Sequence, residues 1–209
     1  MLIGAPGAGK GTQARLFEER KGIPQISTGD IFREMKNADT PLAMEVQRIM
    51  AKGNLISDDL TLKIVEERTS KADCRGTYIL DGFPRTAVQA EMLEKLAADQ
   101  DKEISAILID VPLENLEKRM TGRRRCPICG EIYNTYFKPP VKDHFCDAHP
   151  EEKLEQRADD TEEKAKVRLA TYEAQTKPLL NYYEKTGRLK RVDGTVDSET
   201  IYEQLKNLI

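Results

Sequence analysis

Two kinds of segment alternate along the chain. Short β-branched runs recur at Met1–Ile3, Pro24–Ser27, Thr77–Asp81, Ile104–Asp110 and Leu189–Val192. Several finish on a polar residue or glycine, as strands do when they present a loop at their C-terminal ends. Between them lie amphipathic stretches with helical spacing: Lys10–Lys21, Asp30–Lys36, Pro41–Lys52, Asp59–Ser70, Thr86–Ala98, Leu113–Arg123, Thr161–Thr186 and Ser198–Leu208. Gly187 supplies the expected stop for the long one. Strands alternating with helices predict an α/β domain whose parallel sheet is covered on both faces. Two segments break the rhythm. Ser27 to Ile56 reads as helical with no evident strand, and Gly122 to Asp160 holds turn residues and the Pro139–Pro140 pair. Both read as insertions, which leaves residues 1–26, 57–121 and 161–209 as the core, with inserts at 27–56 and 122–160.

Composition narrows the class. The chain has 209 residues, enough for one sizeable core with inserted subdomains. With 33 basic and 36 acidic residues its net charge is -3, which argues against a nucleic-acid binder. No run approaches the ~20 apolar residues that span a bilayer, so no membrane partner is expected. No charged n-region with an apolar stretch opens the chain, and four cysteines do not suggest a disulfide framework. A reducing, cytoplasmic setting is the expectation.

The sharpest motif is "GAPGAGKGT", Gly4 to Thr12, between a strand-like start and an amphipathic helix. Gly4, four residues, then Gly9 and Lys10 is the spacing of a phosphate-binding P-loop. Glycines let backbone N–H groups turn inward around phosphate oxygens; Lys10 adds a point charge, and the helix its positive end. Gly7, Ala8, Gly9, Lys10, Gly11 and Thr12 are the candidate phosphate cradle. Gly11 stands where a Ser or Thr usually sits, and Thr12 carries the hydroxyl one residue late, which argues against a direct hydroxyl–Mg²⁺ contact.

Three of the four cysteines and both histidines lie in "CPICGEIYNTYFKPPVKDHFCDAH", Cys126 to His149. Cys126, Cys129 and Cys146 with a histidine suit tetrahedral Zn²⁺ bound by three thiolates and one imidazole. His149 repeats the Cys126–Cys129 offset from Cys146. His144, two residues before Cys146, stays compatible, and Asp147 is a remoter option. Four ligands leave no open position, so such a zinc is structural. Cys74 reads as a small buried hydrophobe. A zinc-ribbon nucleic-acid module is the rival reading; it explains the knuckle and "GRRR" but not the P-loop.

From "GKGT" onward the sequence resembles the nucleoside monophosphate kinases, and among them the adenylate kinase family of the long, zinc-binding lid type. "STGDIFR" (Ser27–Arg33), "LDGFPRT" (Leu80–Thr86) with Gln89, "GRR" (Gly122–Arg124), and "RADD" (Arg157–Asp160) with Arg168 extend the likeness along the whole chain. The resemblance implies a P-loop NTPase-type parallel sheet with a helical NMP-binding insertion at 27–56 and a zinc-ribbon lid at 122–160. It implies phosphoryl transfer from MgATP to AMP giving two ADP, by a monomer, with UMP, CMP or GMP as alternative acceptors. An acceptor phosphate is mostly dianionic at pH 7, so no general base is required. The demand is for cations, and arginine forks suit phosphates best.

What the likeness assigns is specific. Arg33 and Arg85 match the monophosphate side; Arg119, Arg123, Arg157 and Arg168 match the triphosphate side and transfer zone, with Arg119 placed to stack on a base. Lys10, Arg85, Arg123, Arg157 and Arg168 are the candidate catalytic set. Arg124 and Arg125 are left without a role. The acceptor would lie on Gly82, Phe83, Pro84, Arg85, Arg157 and Arg168. Its base would meet Thr28, Asn54, Leu55, Ile56 and Gln89, the last offering a donor and an acceptor to an adenine edge. Ile132, Tyr133 and Val196 would lie near the donor base, although Tyr133 could equally be packed inside the knuckle. Asp81, at the end of a strand, and Asp30 could order the waters of Mg²⁺; Asp30 also suits a helix N-cap.

Overall fold

A computed structural model describes residues 1–51 and 56–209. Among these, seven strands form two sheets. They are β1 (Leu2–Ile3), β2 (Gln25–Ser27), β3 (Ile79–Asp81), β4 (Ala106–Asp110), β5 (Arg123–Arg125), β6 (Ile132–Asn134) and β7 (Leu189–Asp193). The main sheet has the order β2-β3-β1-β4-β7, and every neighbouring pair is parallel. β5 and β6 form a separate antiparallel hairpin. The helices are α1 (Lys10–Lys21), α2 (Thr28–Met35), α3 (Pro41–Ala51), α4 (Asp58–Thr69), α5 (Ala87–Asp99), α6 (Leu113–Thr121), α7 (Glu162–Thr171), α8 (Pro178–Lys185) and α9 (Ser198–Lys206).

Strand period puts alternate residues of β4 on opposite faces. Ile107 and Ile109 join Leu2, Phe17 of α1, Leu116 of α6 and Leu205 of α9 in one core. Ala106 and Leu108 join Ile3, Ala90 of α5, and Leu179 and Tyr183 of α8 in the other. Burial on both sides is why the strands read as continuous apolar runs rather than alternating ones. The segment from Ser27 onward folds as α2 and α3, and Val46 packs with Leu60 and Ile64 of α4 in a small core of its own. Residues 122–160 hold the β5–β6 hairpin and the cysteine knuckle, whose buried centre is Cys126, Tyr133 and Cys146.

Several expectations are corrected. The single helix expected over Thr161–Thr186 is three pieces: α7, a π-helical turn at Tyr172–Thr176, and α8 starting at Pro178. Proline has no N–H to donate and clashes with the preceding turn, so the helix cannot continue regularly through it. The helix expected to reach Arg123 ends at Thr121, and Arg123 starts β5. α2 begins at Thr28, and its N-cap is Ser27, whose Oγ accepts the Asp30 N–H at 3.2 Å, so Asp30 is not the cap. The Gly187 stop stands, with φ of 68° and its N–H on the Glu184 carbonyl. Among the described residues no helix is long and apolar enough to cross a membrane.

Candidate active site

Parallel strands deliver their C-terminal ends to one edge of the sheet. β1 runs straight into the Gly4–Lys10 loop, β2 into Thr28, β3 into Asp81–Arg85, and β7 into the Gly194–Val196 loop. In the glycine loop Gly9 has φ of 98°, a left-handed conformation that a side chain would strain. The Lys10 ammonium bridges the Gly4 carbonyl at 2.8 Å and the Ala5 carbonyl at 3.1 Å. Burial pushes its pKa down; Asp81 opposes that, and Arg85, Arg168 and Arg123 add to the fall. Lys10 therefore sits in one electrostatic system with three of the candidate arginines. A Cβ on Gly11 would lie 3.4 Å from Asp81 Oδ2, so the missing side chain lets the β3 carboxylate approach α1 closely.

The arginines arrive from five segments. Arg123 of β5 makes a two-pronged pair with Asp160, Nε to Oδ2 at 2.8 Å and Nη2 to Oδ1 at 2.6 Å. Arg168 of α7 donates to the same Oδ1 at 3.2 Å and to Asp159. Asp160 is completely buried. Arg33 of α2 pairs with Asp30 at 2.6 Å, and Arg157 approaches that carboxylate at 3.6 Å, linking the 122–160 insert to α2. Desolvation, then Arg123 and Arg33, pull the Arg157 pKa down to about 10, with Asp30 and Asp160 opposing. Arg85 folds its Nε back onto the Gly82 carbonyl at 2.7 Å.

The expected base-side residues also gather near β3. Thr28 Oγ1 donates to the Gly82 carbonyl at 3.0 Å, and the Phe83–Pro84 peptide is cis. Gln89, at the start of α5, is buried, with its amide held at both ends. Ile56 packs at the rim of the α2–α4 core; Asn54 and Leu55 lie outside the described residues. Asp30 faces arginines on two sides, and Asp81 receives a long 3.4 Å bond from Gln25. On the other side, the Arg119 guanidinium lies over the exposed ring of Phe137, 5.8 Å from its centroid. Val196 packs against the core below its loop, and Ile132 is half-buried on β6. The Tyr133 ring points into the knuckle: it is buried, its OH lies 3.6 Å from Cys146 Sγ and accepts the Asp147 N–H at 3.0 Å. Only its backbone is left to meet a nucleotide. Arg124 turns back onto the carbonyls of Thr121 and Arg123, and Arg125 pairs its backbone with Glu155.

In the knuckle one donor atom from each of Cys126, Cys129, Cys146 and His149 lies within 4.8 Å of the others. His149 Nδ1 is 3.9 Å from Cys126 Sγ and 3.7 Å from Cys146 Sγ. His144 is outside this group, exposed and beside Asp143 at 3.2 Å, and Asp147 caps the Val141 N–H. The grouping holds His149, the histidine that the ligand spacing favours, and leaves out the alternative His144. The donor set fits a zinc-like dication. Burial raises the Cys146 pKa, but bonds from Tyr133, His149 and Cys126 outweigh it and bring it to about 6. Burial and the neighbouring thiols push Cys129 up. One thiolate is favoured, and further ones are opposed unless a cation joins them.

Four contributors escaped the sequence. Asp160 holds two arginines, Asp58 holds Gln89, Phe137 faces Arg119, and Glu131 pairs with Arg15 of α1. Asp160 alone carried a signal, its place inside the "RADD" motif. The others depend on neighbours far away in the chain.

A family model described as adenylate kinase matches residues 2–188. Among curated relatives, the adenylate kinase of Clostridium novyi (strain NT) is 46% identical over 210 residues, covering 100% of this chain and 97% of the relative. That of Thermodesulfovibrio yellowstonii is 47% identical over 206 residues, covering 98% and 95%. That of Nitrosococcus oceani is 45% identical, covering 100% and 97%. With a phosphate loop, convergent arginines and full-length likeness all in agreement, the chain belongs to the adenylate kinase family.

Proposed function

We propose that the protein transfers the γ-phosphoryl group of MgATP to AMP, reversibly, giving two ADP, and so balances the adenine nucleotides of the cytoplasm. The observation that carries this is the convergence of Lys10, Arg33, Arg85, Arg123, Arg157 and Arg168 at one sheet edge, where burial first, and the neighbouring Arg123 and Arg33 after it, pull Arg157 down to about 10. Cations held this close repel one another, and two phosphate chains relieve the repulsion. The site holds no histidine, and none is needed, since phosphoryl transfer to a phosphate rests on positioning and charge neutralisation.

In this reading residues 1–26, 57–121 and 161–209 are the catalytic core, 27–56 holds AMP and 122–160 is the lid. Gly7 to Thr12 cradle the ATP phosphates, Arg119 and Phe137 border its base, and Ile132, Tyr133 and Val196 lie nearby. Arg33 and Arg85 grip the AMP phosphate, Thr28, Ile56 and Gln89 its base, and Arg123, Arg157 and Arg168 span the transferred group. Mg²⁺ enters with ATP and neutralises phosphate charge; Asp81 suits its water shell better than Asp30, which is engaged by arginines. Zn²⁺ on Cys126, Cys129, Cys146 and His149 is structural. The lid keeps water, the competing acceptor, off the phosphoryl group. A coupled assay across nucleoside monophosphates tests the reading: AMP is the expected preferred acceptor, and a clear preference for UMP or CMP would sink the assignment.

A further inference from the structure

The Gln89 amide is gripped at both ends by groups of opposite character. Its Oε1 accepts the Arg85 backbone N–H at 2.8 Å, and its Nε2 donates to Asp58 Oδ1 at 2.6 Å. An ionised carboxylate can only accept, and a backbone N–H can only donate. The two neighbours therefore dictate which end of the amide is oxygen and which nitrogen. Gln89 is buried in the first turn of α5, whereas Asp58 opens α4, 31 residues earlier. Among the described residues each end of the amide keeps one unused valence, a lone pair on Oε1 and an N–H on Nε2.

We infer that Asp58 is a specificity-determining positioning residue, which locks the Gln89 amide in the orientation that accepts a 6-aminopurine monophosphate and rejects a 6-oxopurine one. The inference rests on the reading that Gln89 meets the AMP base. Adenine offers an N6–H donor and an N1 acceptor, which match the unused lone pair and N–H. Inosine monophosphate reverses both, with an O6 acceptor and an N1–H donor. Against a locked amide both contacts become like-to-like, which leaves buried polar groups unpaired and is the strongest form of rejection a site offers. An unlocked amide turns over and accommodates either base. The Arg85 N–H alone gives half of the lock; Asp58 supplies the charge-assisted half. A plain alternative is that Gln89 and Asp58 merely cap two helices, since Gln89 stands three residues after the Thr86 cap.

The test is kcat/KM for AMP and for IMP, with melting temperature, in the wild type and in Asp58→Ala, Asp58→Asn and Gln89→Leu. Asp58→Ala is expected to lower the AMP-over-IMP ratio at least about ten-fold, through a raised KM for AMP and a gained turnover of IMP. Asp58→Asn keeps an acceptor oxygen and is expected to restore most of the ratio. Gln89→Leu should lower the ratio at least as far. A pure cap role predicts lower melting temperatures with an unchanged ratio, which overturns the proposal. If Gln89→Leu lowers the ratio and Asp58→Ala does not, the lock alone is wrong. If Gln89→Leu leaves it unchanged, Gln89 does not read the base, and the lock falls with that reading. Should Asp58→Ala fail to fold, Asp58→Ser keeps a helix-start residue and is too short to reach Gln89, so the same ratio decides.

Discussion

Lys10 holds two carbonyls of its own loop, and a phosphate oxygen arriving there would exchange those bonds for stronger charge-assisted ones. Lys10→Met keeps the length and apolar stem and removes the charge. Turnover is expected to fall a hundred-fold or more, on the scale of losing one preorganised donor, with the melting temperature little changed. Steady-state kinetics beside a thermal melt check this, and retained turnover would refute the role given to Lys10. Its place was legible because residue type and spacing carry the chemistry. Asp160 was not legible as a clamp: a carboxylate beside motif arginines reads as a solvated surface group until burial is known. It is fully buried and holds Arg123 and Arg168 from different elements. Asp160→Ala should lower stability by about 1.5–3 kcal/mol and kcat/KM at least about ten-fold, read by denaturation and by assay. An unchanged kcat/KM would leave Asp160 with a folding role only.

At the scale of elements, periodicity located the helices and strands well, and failed where a single residue acts against the pattern. Pro178 splits the long helix although the apolar spacing runs on through it. The helical spacing over Leu113–Arg123 takes in Arg123, the first residue of β5, because three arginines carry no strand signal; the hairpin forms through pairing with β6 and through Gly122. A Cβ on Gly122 would lie 2.5 Å from Tyr136 Cδ2, 2.7 Å from Asn134 Oδ1 and 2.8 Å from the Lys118 carbonyl. Two of those three neighbours belong to the segment that carries Arg119's partner Phe137. Gly122→Ala therefore pushes the hairpin off the end of α6. A rise in KM for ATP of several-fold, with KM for AMP less affected, is the expected result, together with about 1–3 kcal/mol of overpacking strain. Equal effects on both substrates would show that the strain spreads beyond the lid.

For the whole molecule, alternation of strands and helices foretold a parallel sheet, but neither its strand order nor the contacts that tie the lid down. Those contacts pair Arg15 with Glu131, Arg168 with Asp160, and Arg157 with Asp30, and the first and last of these join residues more than a hundred positions apart in the chain. The lid reaches the core through charged and amide side chains, and its own apolar centre amounts to Cys126, Tyr133, Cys146 and the partly buried Leu154. A cluster that small does not fold a subdomain unaided, so a dication on the three cysteines and His149 is what should hold it. The proposed function puts the metal in the knuckle and the chemistry at Lys10 and the arginines, and on that reading stability and turnover should separate. Removing zinc with a chelator should lower the melting temperature by several degrees while turnover well below melting stays near its starting value. Metal analysis should return about one zinc per chain in the untreated protein, and His149→Ala should reproduce the loss of melting temperature without the chelator. Immediate inactivation in the cold with unchanged melting would move the metal from the frame of the lid into the reaction itself.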